Sequence, residues 1–195
     1  AMSEFESPAD VELLPCDVFL TKGSGFVSRG IRFFTRRFGE SRTQVNHVGI
    51  IVEPGTLHSA LAVEALTKVK RHPLGRYAKQ RSTGVAVYRP TNLTDDEIAA
   101  IVAKADSYVG RDYGWFKIVT HLADWALLGA FVFRRLTDDD RYPICSWVVA
   151  YAFAEADKNF GVEPGAASPD DIWDFVTANP DKYTKVRGLE PIPES

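Results

Sequence analysis

The sequence predicts a single α+β domain over residues 1–195, and three observations carry that expectation. Four short apolar runs (17–20, 47–52, 61–66 and 85–89) have strand length and are bounded by turn residues. Helical spacing with cap chemistry takes over after position 94. At 195 residues and 45% hydrophobic side chains, the chain is long enough to bury one real core.

Residues 1–12 and 188–195 read as loose ends, the second marked by Pro191 and Pro193. The strand at 17–20 stops at the turn Lys22-Gly23-Ser24-Gly25. From 26 to 38, apolar Phe26, Ile31, Phe34 and Phe38 alternate with Arg29, Arg32, Arg36 and Arg37 in a rough helical pattern. That is either a core helix with solvated arginines or a surface for anionic lipid or polymer. Pro54-Gly55 turns the 47–52 strand into the 61–66 strand. A symmetric hairpin pairs position 50 with 61 and 47 with 64, so His47 and Glu64 share a face unless a bulge intervenes. Lys68, Lys70, Arg71, Arg76, Lys79 and Arg81 read as a basic loop.

Thr94 and Glu97 form a capping box, in which each side chain satisfies an orphan N–H of the helix start. Ile98, Ile101, Val102, Ala105, Tyr108 and Val109 keep helical spacing, and Gly110 ends the helix. Residues 115–136 are strongly apolar, from Trp115 through the uncharged run Trp125 to Phe133. This stretch is too short and too broken by His121 and Asp124 to span a membrane. It reads as buried helix, with a cover over a substrate groove as the alternative. Ser168-Pro169-Asp170-Asp171 starts a last helix, closed by Asn179-Pro180.

The net charge of −3 gives no general attraction to nucleic acid. The N-terminus lacks a basic-then-apolar leader, but Ala1 precedes Met2, which leaves a removed leader open. The default localisation is cytoplasmic. Two cysteines do not make a disulfide framework. No C-x-x-C or H-E-x-x-H spacing and no phosphate-cradling glycine loop occurs, so the expectation is no metal and no cofactor.

Asp138, Asp139, Asp140 and Pro143 precede the apolar run from Ile144, which is the chemistry of a helix start. Cys145 therefore belongs in the first turn of a buried helix, where the positive end of the dipole favours a thiolate. A cysteine hydrolase also needs an imidazole in reach and a polar group to orient it. His47 and Glu64 are the candidates. His58 falls in a turn, His72 in the basic loop and His121 in the apolar stretch, while Cys16 reads as a small buried residue. The competing reading of Cys145 is an inert buried thiol.

A set of seven motifs in order resembles the permuted NlpC-type papain-like cysteine hydrolases, specifically the YiiX/YebB-like group. Cys16-Asp17-Val18-Phe19-Leu20 resembles the opening Gly-Asp strand, with Cys16 in the glycine position. Ser28-Arg29-Gly30-Ile31-Arg32-Phe33-Phe34-Thr35 resembles the helix that follows. Asn46-His47-Val48-Gly49-Ile50 and Val63-Glu64-Ala65 resemble the histidine and glutamate strands. Val109-Gly110-Arg111-Asp112-Tyr113-Gly114 resembles the glycine–tyrosine turn, and Ile144-Cys145-Ser146-Trp147-Val148-Val149 the nucleophile helix. Ser168-Pro169-Asp170-Asp171-Ile172 resembles the late Pro-Asp helix start.

The resemblance implies a circularly permuted papain-like α+β fold: a small antiparallel sheet packed with helices that include the nucleophile helix. It implies Cys145 as nucleophile, His47 as base, Glu64 as orienting group and Tyr113 as a substrate-pocket residue. The implied reaction is amide hydrolysis, on a cell-wall-type peptide or related acyl substrate, through a thioester. Two other readings stand beside it. One is a lipid-directed thiol hydrolase or acyltransferase meeting a membrane surface through the arginine helix and residues 115–133. The other is an inert binding protein on the same fold.

Overall fold

A computed structural model describes residues 11–23, 44–66, 68–111 and 145–194. Six strands form one antiparallel sheet: β1 (Val18–Lys22), β2 (His47–Glu53), β3 (Leu61–Ala65), β4 (Val69–Pro73), β5 (Gly84–Pro90) and β6 (Tyr183–Pro191). Their order across the sheet is β4-β3-β2-β1-β5-β6. Among the described residues the α-helices are α1 (Asp95–Ser107), α2 (Cys145–Ala154) and α3 (Pro169–Ala178). A 3₁₀ segment, Leu74–Lys79, joins β4 to β5. The architecture is α+β, with five strands before α1, α2 and α3, and β6 closing the chain after them.

Strand alternation divides the core. Val18, Leu20, Val48, Ile50, Val63, Ala86 and Tyr88 face the helices and pack with Ile101, Val148, Val149 and Ile172. Phe19, Ile51, Ala62, Val85 and Val87 face the other way and are covered by Leu13, Leu57, Leu74, Tyr77 and Ile192. The cap chemistry read from the sequence forms as expected. Thr94 and Glu97 close a reciprocal box on α1, and Ser168 and Asp171 do the same on α3.

Three readings of the sequence are corrected here. The hairpin register is shifted by two: Ile50 opposes Val63, and a bulge lies between Ile51 and Glu53. A two-residue shift keeps every side chain on its face, so His47 and Glu64 remain on one side, as diagonal rather than direct neighbours. The basic stretch after Lys68 is not one loop: Lys70 and Arg71 lie on an edge strand, β4, where exposed cations suit a sheet edge, and Arg76 and Lys79 lie on the 3₁₀ segment. Residues 188–191 are not loose. They complete β6, where Pro191 opposes Gly84 on the outer strand, a position that tolerates a missing N–H.

The loop into β1 explains the cysteine at 16. Its φ is +71°, the left-handed region that glycine takes without cost, and its side chain is fully buried. The next residue, Asp17, is buried and held by Arg89 through two contacts of 2.8 Å and by the Leu14 N–H at 2.9 Å.

Gly49 is required by close approach. An added Cβ would enter the Phe19 ring and lie 2.9 Å from the Val63 carbonyl. Gly49→Ala is therefore expected to destabilise the protein by about 1–3 kcal/mol, seen as a lower urea midpoint with an unchanged m-value. A midpoint equal to wild type would show that the Phe19 ring yields freely.

Candidate active site

The site is assembled at the N-terminal end of β2. His47 is the first residue of that strand and Cys145 the first residue of α2. Hydrogen bonding links the Cys145 thiol to the His47 imidazole, and the Val48 and Ser146 N–H groups also point at the sulfur. The helix start is pinned from behind by the Ser146 hydroxyl, which donates to the Ala167 carbonyl at 2.6 Å. Ser146 and Cys145 are both buried.

Glu64, fully buried on β3, is the hub of the constellation. Its Oε2 accepts from His47 Nε2 and from the Tyr77 hydroxyl, the latter at 2.6 Å. On the other oxygen, Oε1, His72 Nε2 makes a close contact without hydrogen-bond alignment, and an Arg76 guanidinium nitrogen lies at 3.8 Å. The Phe19 ring stands edge-on to His47, with centroids 6.4 Å apart, and tilted against Tyr77 at 6.0 Å. With Nε2 committed to Glu64, Nδ1 is the imidazole nitrogen left for the thiol proton.

The electrostatics follow from this packing. Burial alone would lower the His47 pKa, but the Glu64 carboxylate and the Cys145 sulfur outweigh it and raise it to about 10. Burial alone would raise Glu64, yet His47 and then His72 hold it well below the usual carboxylate range. Burial also opposes ionisation of Cys145, but His47 and the two backbone N–H donors bring its pKa below that of an ordinary thiol. Cys16 shows the contrast: burial, with Asp17 alongside, pushes its thiol up to about 12.

The structure thus brings His47, Glu64 and Cys145 together. Tyr113, Arg29, Arg32, Arg36, Arg37 and residues 115–133 lie outside the described residues. His58 is placed on the turn after β2, where its backbone lies against Gly75. Two site residues were missed by the sequence reading. His72 was assigned to a loop, and Tyr77 carried no signal beyond being an aromatic residue beside Arg76.

Among the described residues no group of three or more His, Cys, Asp or Glu side chains is placed to hold a metal ion, and no helix is long and apolar enough to cross a membrane. No family model and no curated protein matches the chain. A solved structure does: metalloprotein YiiX from Escherichia coli O157:H7, DUF1105, at a TM-score of 0.60 and 15% sequence identity. The match covers 91% of this chain and 98% of that one. The chain is therefore similar in fold to YiiX, an α+β architecture shared over nearly the whole of both proteins.

Proposed function

We propose that this protein is a cysteine hydrolase of the permuted NlpC-type papain-like kind, cleaving an amide bond through Cys145, His47 and Glu64. One observation carries the reading. A thiol at a helix start meets an imidazole whose far nitrogen is held by a fully buried carboxylate. An inert core cysteine has no use for that arrangement, since burying a carboxylate with two histidines is costly without a task for it.

In the resting site the proton of Cys145 rests on His47, and Glu64 stabilises the imidazolium. The thiolate attacks the acyl carbonyl, a C–S bond forms, and the carbonyl electrons move to oxygen. We assign the N–H of Cys145, at the start of α2, as a donor to that oxyanion. His47 gives its proton to the leaving amine as the C–N bond breaks. A water then adds to the thioester with His47 as base, and the acid leaves with the thiolate restored. The cell-wall-type peptide is the substrate class that the sequence resemblance favours.

The test is turnover of a panel of peptide amides, a muropeptide and lipid esters by wild type and Cys145→Ala. Amide cleavage that falls by at least about 10³-fold in the variant is expected. Equal turnover by both proteins removes the reading. Cleavage of lipid esters alone would replace the amidase by a lipid-directed thiol enzyme.

A further inference from the structure

We propose that Tyr77 is a positioning residue of this site, fixing the Glu64 carboxylate so that one lone pair of Oε2 is left aimed at His47. The inference rests on the cysteine-hydrolase reading above and adds a fourth member to its machinery. A carboxylate on a flexible stem rotates about its last torsion, which is broad and has no strong preference. Something must choose which oxygen, and which lone pair of it, faces the imidazole. The donors around Glu64 make that choice. The Tyr77 hydroxyl donates to the same oxygen that takes the His47 N–H, at 2.6 Å. His72 occupies the second oxygen from the opposite side, with Arg76 beyond it.

Tyr77 is itself fixed. It lies in the 3₁₀ segment Leu74–Lys79, is 5% exposed, packs on Phe19 and carries the Arg76 guanidinium 5.7 Å from its ring centroid. Phe19 touches both the Tyr77 and the His47 rings, so one side chain spaces base and positioner. Burial beside the Glu64 charge keeps the phenol protonated, so it serves as donor throughout the cycle. Tyr77 contacts no reacting atom. It acts only through Glu64.

This role makes the two half-reactions respond differently. In acylation the proton already rests on His47, so an activated ester reacts with the ready thiolate and its leaving group needs no proton. Once the sulfur is acylated and uncharged, His47 releases its proton to solvent; in deacylation the neutral imidazole takes a proton from water while the water oxygen bonds to the thioester carbon, and the C–S bond then breaks. Only that step depends on how firmly Glu64 holds the ring during proton transfer.

The experiment uses p-nitrophenyl acetate with the full chain. Wild type is expected to show a Cys145-dependent burst of p-nitrophenolate followed by slower turnover. In Tyr77→Phe the burst is retained within about twofold, while turnover falls about tenfold, short of the roughly 10² that an ångström of misplacement costs. His72→Ala, on the edge strand, frees the other oxygen and is expected to give the same split at smaller size. Should Tyr77→Phe fail to fold, 3-fluorotyrosine at position 77, which keeps the ring and alters only the strength of the hydroxyl donor, carries the test: changed turnover with an unchanged burst supports the role, and unchanged turnover overturns it. A burst in wild type with unchanged turnover in the folded variant overturns the role of Tyr77 but leaves the hydrolase standing. Burst and turnover falling together, in step with a lower Tm, means a structural role and also overturns it. A wild type whose burst is absent, or persists in Cys145→Ala, removes the hydrolase reading itself and the inference with it.

Discussion

Iodoacetamide at pH 6 is expected to alkylate wild-type Cys145 at least about tenfold faster than the same thiol in His47→Gln. An ordinary thiol is well under about 1% ionised at that pH. In wild type, His47 and the Val48 and Ser146 N–H groups favour the thiolate against the opposing effect of burial. Lowering a thiol pKa also lowers its intrinsic nucleophilicity, which is why the gain is smaller than the gain in thiolate alone. Access is shared by both proteins, so it cancels from the ratio. The shapes differ as well. The wild-type rate rises less steeply between pH 6 and 9 than the variant's, because the Cys145 pKa is lowered and His47 keeps its proton until about pH 10. In His47→Gln, burial is no longer opposed by the imidazolium, and the rate climbs with pH throughout. One label per chain is expected, since Cys16 is buried and its pKa is near 12. Superimposable pH–rate curves for the two proteins would show that no ion pair exists.

Glu64→Ala is expected to cost about 3–5 kcal/mol, because it leaves buried Tyr77 and half-buried His47 and His72 around a lost partner. For a chain of this size that lowers Tm by roughly 6 to 20 °C. The variant also changes how stability depends on pH. The folded pKa of Glu64 is depressed, so its contribution is present above the ordinary carboxylate value of 4.5 and is lost as pH falls through the folded value. The folded pKa of His47 is raised, so its contribution is complete below 6.5 and disappears as pH rises through about 10. Both are in full force only between about pH 4.5 and 6.5. The wild type should therefore lose stability toward acid, and Glu64→Ala should lose much less there; toward alkali the lowered Cys145 thiol offsets the loss at His47 between about pH 6.5 and 9. Thermal melts from pH 3 to 10 measure this. Parallel curves for both proteins would mean that the buried carboxylate is not the hub of the charge pairing. Glu64→Gln, which keeps the shape and an acceptor but not the charge, should recover part of the melting temperature and none of the pH dependence.

The site was legible in the sequence to the extent that its parts obey local rules. Pro143 and the preceding aspartates announce a helix start, which is enough to place Cys145 at the head of α2. His47 and Glu64 were paired with a register wrong by two residues, and the inference survived because strand faces repeat every two. Had the bulge between Ile51 and Glu53 displaced the register by one, Glu64 would have pointed at the helices. Tyr77 and His72 were not legible for a different reason. Their contact with Glu64 depends on how an edge strand of charged residues folds back over β3, and charge at an edge looks the same as charge in a loop. β6 was hidden likewise: Gly188, Pro191 and its register shifts against β5 all weaken the strand pattern.

The strand order carries a consequence for synthesis. β2 and β3 are adjacent in the chain and in the sheet, whereas Cys145 follows Glu64 by 81 positions (145 − 64). At about 5–20 residues per second, the ribosome delivers the cysteine roughly 4 to 16 s after the hairpin. Glu64 and His47 are thus synthesised before the sulfur arrives. Until α2 docks on the sheet, the emerging thiol has neither the imidazole nor the Val48 N–H beside it and behaves as an ordinary, mostly protonated cysteine. On the hydrolase reading proposed above, nucleophilic power is consequently a property of the finished molecule alone, and a nascent or partly unfolded chain is spared the side reactions of a free thiolate.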